Sequence, residues 1–378
     1  MRLIDQSLGQ AKPVATRSSP PVRYLVLLAS TLLLFLTGAV TVLSASTPSS
    51  INQAGDAFAT FGWHAAYVTV AVFVLLTTVG FDYRRWRRFA PALLILATSS
   101  LVAVLLWGRS SGGSQRWLEI AGRTVQPSEI VKFALVVSVA SFLDQRRYFL
   151  DRFDRVTFPI GVGLVVICAL ILAHPDLGTA IMIGAIAIGM MWAAGVPFKH
   201  LASLAAPGLA VGLLCVLGSP YRRDRVLGFL SASDNPEGAG WQVTQGLLSL
   251  ANGGLRGTGI SAGHAQWGWV PAPHTDFVFA VVGEQLGFIG ALAVLILLGA
   301  IILTGFRTAQ LAPDVFGSLL AAGISVWFLA QVVVNLGGVL QFLPITGVTL
   351  PFISYGGTAL VVNALAAGVL LNVTRQSI

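Results

Sequence analysis

Ten apolar stretches, each long enough to cross the interior of a bilayer, dominate this 378-residue chain. An α-helix rises 1.5 Å per residue, so about 20 apolar residues cover the ~30 Å of hydrocarbon in a membrane. Such runs can be drawn at 24–44, 61–81, 89–108, 128–143, 157–173, 178–196, 199–218, 276–305, 315–340 and 355–373. Lipid offers no partner to a backbone amide or carbonyl, so runs of this length must pair their own groups as helices. Hydrophobic residues make up 55% of the chain and charged ones only 10%, which excludes a soluble globular domain. The expected fold is an all-α polytopic membrane protein with about ten transmembrane helices. The short fourth run, and the fifth and sixth divided only by Ala173-His-Pro-Asp-Leu-Gly178, set a tolerance of one on that count.

Residues 1–22 are polar and carry Pro13, Pro20 and Pro21, the composition of a disordered tail. Residues 23–378 read as a single transmembrane domain with a large loop, 219–275, between the seventh and eighth helices. The first run suits a spanning helix better than the shorter apolar region of a signal peptide. Cys168 and Cys215 lie inside apolar runs, as small buried hydrophobes do.

Lysine and arginine mark the cytoplasmic side of a membrane protein. With both termini cytoplasmic, most of the 23 basic residues fall inside, including Arg84-Arg85-Trp86-Arg87-Arg88. That belt anchors to anionic headgroups of membrane lipids. It accounts for most of the net charge of +8, so the charge does not argue for a nucleic-acid partner. Lys132 lies within a helix, and seven arginines (109, 116, 123, 222, 223, 225 and 256) fall outside, all in two loops, 109–127 and 219–275.

Guanidinium groups bind phosphate oxygens in pairs, and glycine-rich turns such as Ala251-Asn-Gly-Gly-Leu-Arg-Gly-Thr-Gly259 can aim successive N–H groups at an anion. A pyrophosphate suits that surface. The plainer reading pairs these arginines with Asp224, Asp234 and Glu237 or with outer-leaflet lipid. The segment Gly257-Thr-Gly-Ile-Ser-Ala-Gly263 has the wrong spacing for a dinucleotide fingerprint and no βαβ unit around it.

Five ionisable groups fall within the spans or at their outer mouths: Glu129, Lys132, Asp176, Asp276 and Glu284. Charges at this depth are costly and call for a reason. Glu129 and Lys132 are three apart on a helix expected to begin near Pro127, the spacing of an ion pair. Asp176 stands where an aspartate caps the next helix, a reading as good as a chemical one. Asp276 follows Pro273-His274-Thr275 and is expected in the first turn of its helix, where N–H groups and the helix dipole favour a carboxylate. A simple cap is its plainer role. Glu284 lies eight residues further, about 12 Å deeper, too far for a short acid pair.

Several strings together resemble one family, the SEDS proteins (shape, elongation, division and sporulation). They are Gly113-Ser-Gln-Arg-Trp117, Gln126-Pro-Ser-Glu-Ile-Val-Lys132, Pro175-Asp-Leu-Gly-Thr-Ala180, Tyr221-Arg-Arg-Asp-Arg225, Gln245-Gly-Leu-Leu, Ala251-Asn-Gly-Gly-Leu, Pro273-His-Thr-Asp-Phe277 and Leu343-Pro-Ile-Thr-Gly-Val-Thr-Leu-Pro-Phe-Ile-Ser-Tyr-Gly-Gly357. The likeness runs from about residue 24 to the end. His174, Gln285 and the segment His264-Ala-Gln-Trp267 depart from the family's usual pattern.

The resemblance implies a peptidoglycan glycosyltransferase in the bacterial cytoplasmic membrane, polymerising lipid II onto a polyprenyl-pyrophosphate-linked glycan at the outer face, by inverting transfer. It also implies a class B penicillin-binding protein as partner, with other divisome proteins. Tyr221-Arg-Arg-Asp-Arg225 is more like the division members than the elongation members. Carried onto this chain, the catalytic aspartate is Asp276. Arg116, Lys132, Arg222, Arg225 and Arg256 are candidates for substrate, and Gln126, Glu129, Asp176, His274 and Glu284 for shaping the cavity. A divalent cation, magnesium or manganese, is compatible with pyrophosphate, but no ligand spacing assigns one. The rival readings are a flippase for the same lipid, for which the chain shows no inverted repeat, an elongation-type polymerase, and a non-catalytic scaffold.

Overall fold

The computed structural model describes residues 21–111, 114–120, 122–219, 223, 229, 241–267 and 273–377. The expected tail and much of the 219–275 loop, with Arg222 and Arg225, lie outside them. The helices are α1 (Val22–Ala54), α2 (Ala59–Gly80), α3 (Trp86–Trp107), α4 (Pro127–Gln145), α5 (Phe158–Ala173), α6 (Leu177–Ala194), α7 (Phe198–Leu217), α8 (Trp241–Gly253), α9 (Val278–Leu311), α10 (Val315–Val339) and α11 (Gly357–Gln376). Among the described residues nine helical segments are long and apolar enough to cross a membrane. Helix α4, with 19 residues, is a tenth of membrane length and holds Glu129, Lys132 and Asp144 within it. The chain is a multi-pass membrane protein.

Apolar length dictates most of these elements, and polar chemistry explains where they outrun it. Helix α1 continues ten residues past its expected end, through Pro48. Its hydroxyls turn back on the helix itself: Thr31, Thr37, Thr41 and Thr47 each donate to the carbonyl four residues earlier. Hydroxyls satisfied in this way add no exposed donor to an apolar surface. The 109–127 loop, expected as irregular, contains a small antiparallel meander of β1 (Arg109–Ser111), β2 (Ser114–Ile120) and β3 (Arg123–Val125), in register Arg109↔Trp117 and Leu118↔Val125. The 219–275 segment contains α8, a short helix packed against α9.

The core lies among α4, α6, α9, α10 and α11, while α7 packs mainly on α6 and leaves most of its surface outside the bundle. One end of the bundle is clasped by polar side chains. Tyr83 Oη and Arg84 Nε both donate to Asp314, Arg84 Nη1 donates to Gln376, and Arg87 pairs with Asp144 at 2.7 Å. The opposite end carries the β-meander, the 174–176 turn and Asp276.

Helix α9 is not continuous. Gly287 has φ 69° and ψ −170°, which divides the helix into a buried segment, 278–286, and a longer one, 288–311. The longer segment alone covers about 36 Å, enough to span. The break frees backbone groups, and residues 254–259 take them up. Phe288 N–H donates to Gly254 O (2.8 Å), Ile289 N–H to Leu255 O (3.3 Å), Thr258 N–H to Glu284 O (2.9 Å) and Gly259 N–H to Gln285 O (3.1 Å). A Cβ at Gly287 would collide with the backbone of Gly257 and Leu255, and its positive φ disfavours any side chain. Gly287→Ala is therefore expected to lower the thermal unfolding midpoint in detergent by an amount corresponding to about 1–3 kcal/mol. Gly299→Ala, whose added Cβ meets nothing within 4 Å, should not lower it and, by helix propensity, can raise it by an amount corresponding to at most about 1 kcal/mol.

Candidate active site

Asp276 lies in the turn 273–277, two residues ahead of the helix that the sequence reading starts at it. The first carbonyl to enter the helical ladder is that of Phe277, which accepts from Val281 N–H. The carbonyl of Asp276 turns aside to Asn335 Nδ2 at 3.1 Å, and the same amide nitrogen donates to Val348 O at 2.7 Å. One side chain thus ties the Asp276 turn to the irregular segment after Pro344. Gly347, at φ 77°, brings that backbone close to the carboxylate. The pocket between them holds about 210 Å³ of empty space including its mouth, and is lined by Asp276, Phe277, Asn335, Ile345, Thr346 and Gly347 among others.

Behind the turn, Tyr355 N–H donates to His274 O at 2.8 Å, and the Tyr355 ring lies between the imidazoles of His274 and His64, at 5.5 and 5.7 Å. Burial lowers the pKa of His274, favouring its neutral form beside the acid. Gln126 contributes its backbone N–H, donated to Thr358 Oγ1 at 3.1 Å, which joins the start of α4 to the start of α11.

Glu284 is fully buried on the far side of the short α9 segment. Its two oxygens accept from His264 N–H and Ala265 N–H, each at 2.9 Å, while Gln285 Nε2 donates to Ser44 Oγ at 2.7 Å. Glu284 is thus a fastener between the loop and the helix and does not share a pocket with Asp276. Asp176 caps α6, accepting from Thr179 N–H and Oγ1 at 3.1 and 2.8 Å.

Arg116 is a tie as well. It donates to Pro175 O at 2.6 Å and stands 4.0 Å from Asp176, holding the β-meander against the α5–α6 turn. Lys132 is 2% exposed, paired with Glu129 at 2.7 Å, and its ammonium lies 5.4 Å from the centre of the Trp327 ring. Arg256 is exposed on the segment that closes the α9 break. Arg123 stacks on Trp63, with its guanidinium carbon 3.0 Å from the ring centre. Among the described residues no three or more His, Cys, Asp or Glu gather as metal ligands, and no residue is assigned to a cation.

Asn335, Gln331, Gly347 and Tyr355 belong to the site's frame and escape the reading of charged residues alone. Their signal is present: Gln331 and Asn335 are polar residues four apart in an apolar run, and polar groups in a membrane helix have work to do.

A bundle of this many membrane-length helices places the chain in the class of polytopic integral membrane proteins. The chain is a member of the FtsW/RodA/SpoVE family of cell cycle proteins, whose model matches residues 24–378. It is 35% identical to stage V sporulation protein E of Bacillus subtilis, over 96% of this chain and all of that one. It is also 35% identical to a probable peptidoglycan glycosyltransferase FtsW of Geobacter metallireducens, over 93% of this chain and 94% of that one. Its fold matches a chain from a peptidoglycan synthase complex with a TM-score of 0.75 at 26% identity, covering 95% and 98% of the two chains. The rod shape-determining protein RodA of Thermus thermophilus matches in fold with a TM-score of 0.67, covering 93% and 96%.

The bracing makes a prediction. Asn335→Ala strands two carbonyls and should destabilise the protein by about 1–3 kcal/mol, since a lost partner leaves a buried acceptor without its hydrogen bond. Asn335→Gln, which keeps an amide, should recover part of that loss in the same thermal melt.

Proposed function

We propose that this chain is a peptidoglycan glycosyltransferase that polymerises lipid II at the outer face of the bacterial cytoplasmic membrane, with Asp276 as its general base. The carboxylate removes the proton from the 4-hydroxyl of the acceptor sugar as that oxygen attacks the anomeric carbon of the donor glycan. The new C–O bond forms on the face opposite the departing one, and the donor's bond to pyrophosphate breaks, releasing polyprenyl pyrophosphate. The observation that carries this reading is the placing of Asp276: partly exposed at a pocket, on a turn whose backbone is fixed by Asn335 and Tyr355. A base must meet its hydroxyl within hydrogen-bond reach, and a fixed turn keeps that geometry from wandering.

Further support comes from the relatives' names and from the charge distribution, which by the positive-inside rule favours cytoplasmic termini and an outer Asp276. The developing negative charge of pyrophosphate calls for cations nearby. Arg256 is the exposed candidate among the described residues; Arg222 and Arg225 belong to the same 219–275 segment of the sequence. Lys132 and Arg116 are held by protein partners, so their first role is to shape the cavity. By the Tyr221-Arg-Arg-Asp-Arg225 string the role lies in cell division, with a class B penicillin-binding protein cross-linking the product.

Purified protein supplied with labelled lipid II and its cognate penicillin-binding protein should form glycan chains, and Asp276→Ala should slow that by ~10²-fold or more. Polymerisation that survives Asp276→Ala contradicts the reading. Lipid translocation without chain formation favours the flippase instead.

A further inference from the structure

Three polar side chains of α10 stand four residues apart on one face: Trp327, Gln331 and Asn335, which are 0%, 0% and 5% exposed. Trp327 Nε1, Gln331 Oε1 and Asn335 Oδ1 have no hydrogen-bond partner among the described residues. The nitrogens of both amides are already used, Gln331 Nε2 on Thr349 O at 2.8 Å and Asn335 Nδ2 on Asp276 O and Val348 O. What remains is one indole donor and two amide acceptors, all buried within the bundle.

A buried polar atom left unpaired costs about 1–3 kcal/mol, so three on a single helix face need a common answer. Positions four apart on a helix rise about 6 Å. One water spans that gap, with a hydrogen bond of ~2.8 Å to either side. A water also donates and accepts, as this mixture of groups requires, and internal waters serve such polar sites. At the inner end of the face lie Lys132, over the Trp327 ring, and its partner Glu129. At the outer end lies the turn of Asp276.

We propose that this face of α10 binds a file of internal waters joining the Glu129–Lys132 pair to the Asp276 turn, held by Trp327 Nε1, Gln331 Oε1 and Asn335 Oδ1. The file hydrates an ion pair that is otherwise sealed in the bundle, and a buried pair needs its remaining donors and lone pairs satisfied to be tolerated. The inference rests on buried geometry and is independent of the glycosyl-transfer reading.

Pulsed X-ray radiolysis of the full chain in lipid nanodiscs tests it, because radicals born from bound water oxidise the side chains beside it. Trp327 should be oxidised readily, while Met190, equally buried in an apolar setting, should not. Gln331→Leu should reduce Trp327 oxidation several-fold and leave that of exposed Trp192 unchanged. Trp327 as inert as Met190 in the unmodified protein overturns the proposal without reference to any variant. So does equal oxidation of Trp327 in a folded Gln331→Leu protein.

Discussion

The structure turns on the repair of one broken helix. Helix α9 gives up its ladder at Gly287, and four backbone hydrogen bonds from residues 254–259 take up the groups that the break releases. Unpaired backbone at membrane depth costs several kcal/mol per group, so the break is tenable only because the loop is knitted into it. The repair also sets positions. The short buried segment 278–286 is held by Glu284 from one side and by α10 from the other, and it begins where the Asp276 turn ends. A loop outside the transmembrane bundle and the candidate base are therefore parts of one hydrogen-bonded unit.

Charge is arranged by the same logic of satisfaction. At one end of the bundle Asp314 and Asp144 collect arginines and a tyrosine hydroxyl. At the other, Asp176 caps a helix and receives Arg116, and Glu284 takes two backbone amides. Glu129 and Lys132 pair with each other within the bundle. Removing one partner of such a buried pair costs about 3–5 kcal/mol, mostly because the other charge is left behind. Asp144, Asp176, Glu284 and Glu129, all buried, have structural work that accounts for their burial. Asp276 differs from them in lining a pocket.

Bilayer-length hydropathy made the ten long helices legible, because lipid leaves a long apolar run little choice. It misjudged α1, where Ser and Thr hydroxyls and Pro48 look like a helix end, yet Thr47 and Ser49 donate back to the helix's own carbonyls and the helix runs through the proline. The β-meander was hidden because two of its strands are only three residues long and polar, and the sheet forms only by pairing them with the third. The break at Gly287 was equally hidden, since it is one of several glycines in the run and nothing in the sequence sets it apart from Gly283 or Gly290 until a loop is seen to fill it. At the site, Asp276 stood out as a charge where charge is expensive. Its supports, Asn335 and the backbone at Gly347, carry no charge, and only tertiary contact shows what they hold.

The central claim is that Asp276 faces a pocket entered from outside the cell and filled by a lipid-linked saccharide. Its most direct test is thiol labelling of an Asp276→Cys protein lacking the two native cysteines, using a membrane-impermeant reagent on right-side-out spheroplasts. The account predicts prompt labelling, slowed by added lipid II. Labelling only after the membrane is opened, or none slowed by the lipid, would contradict it.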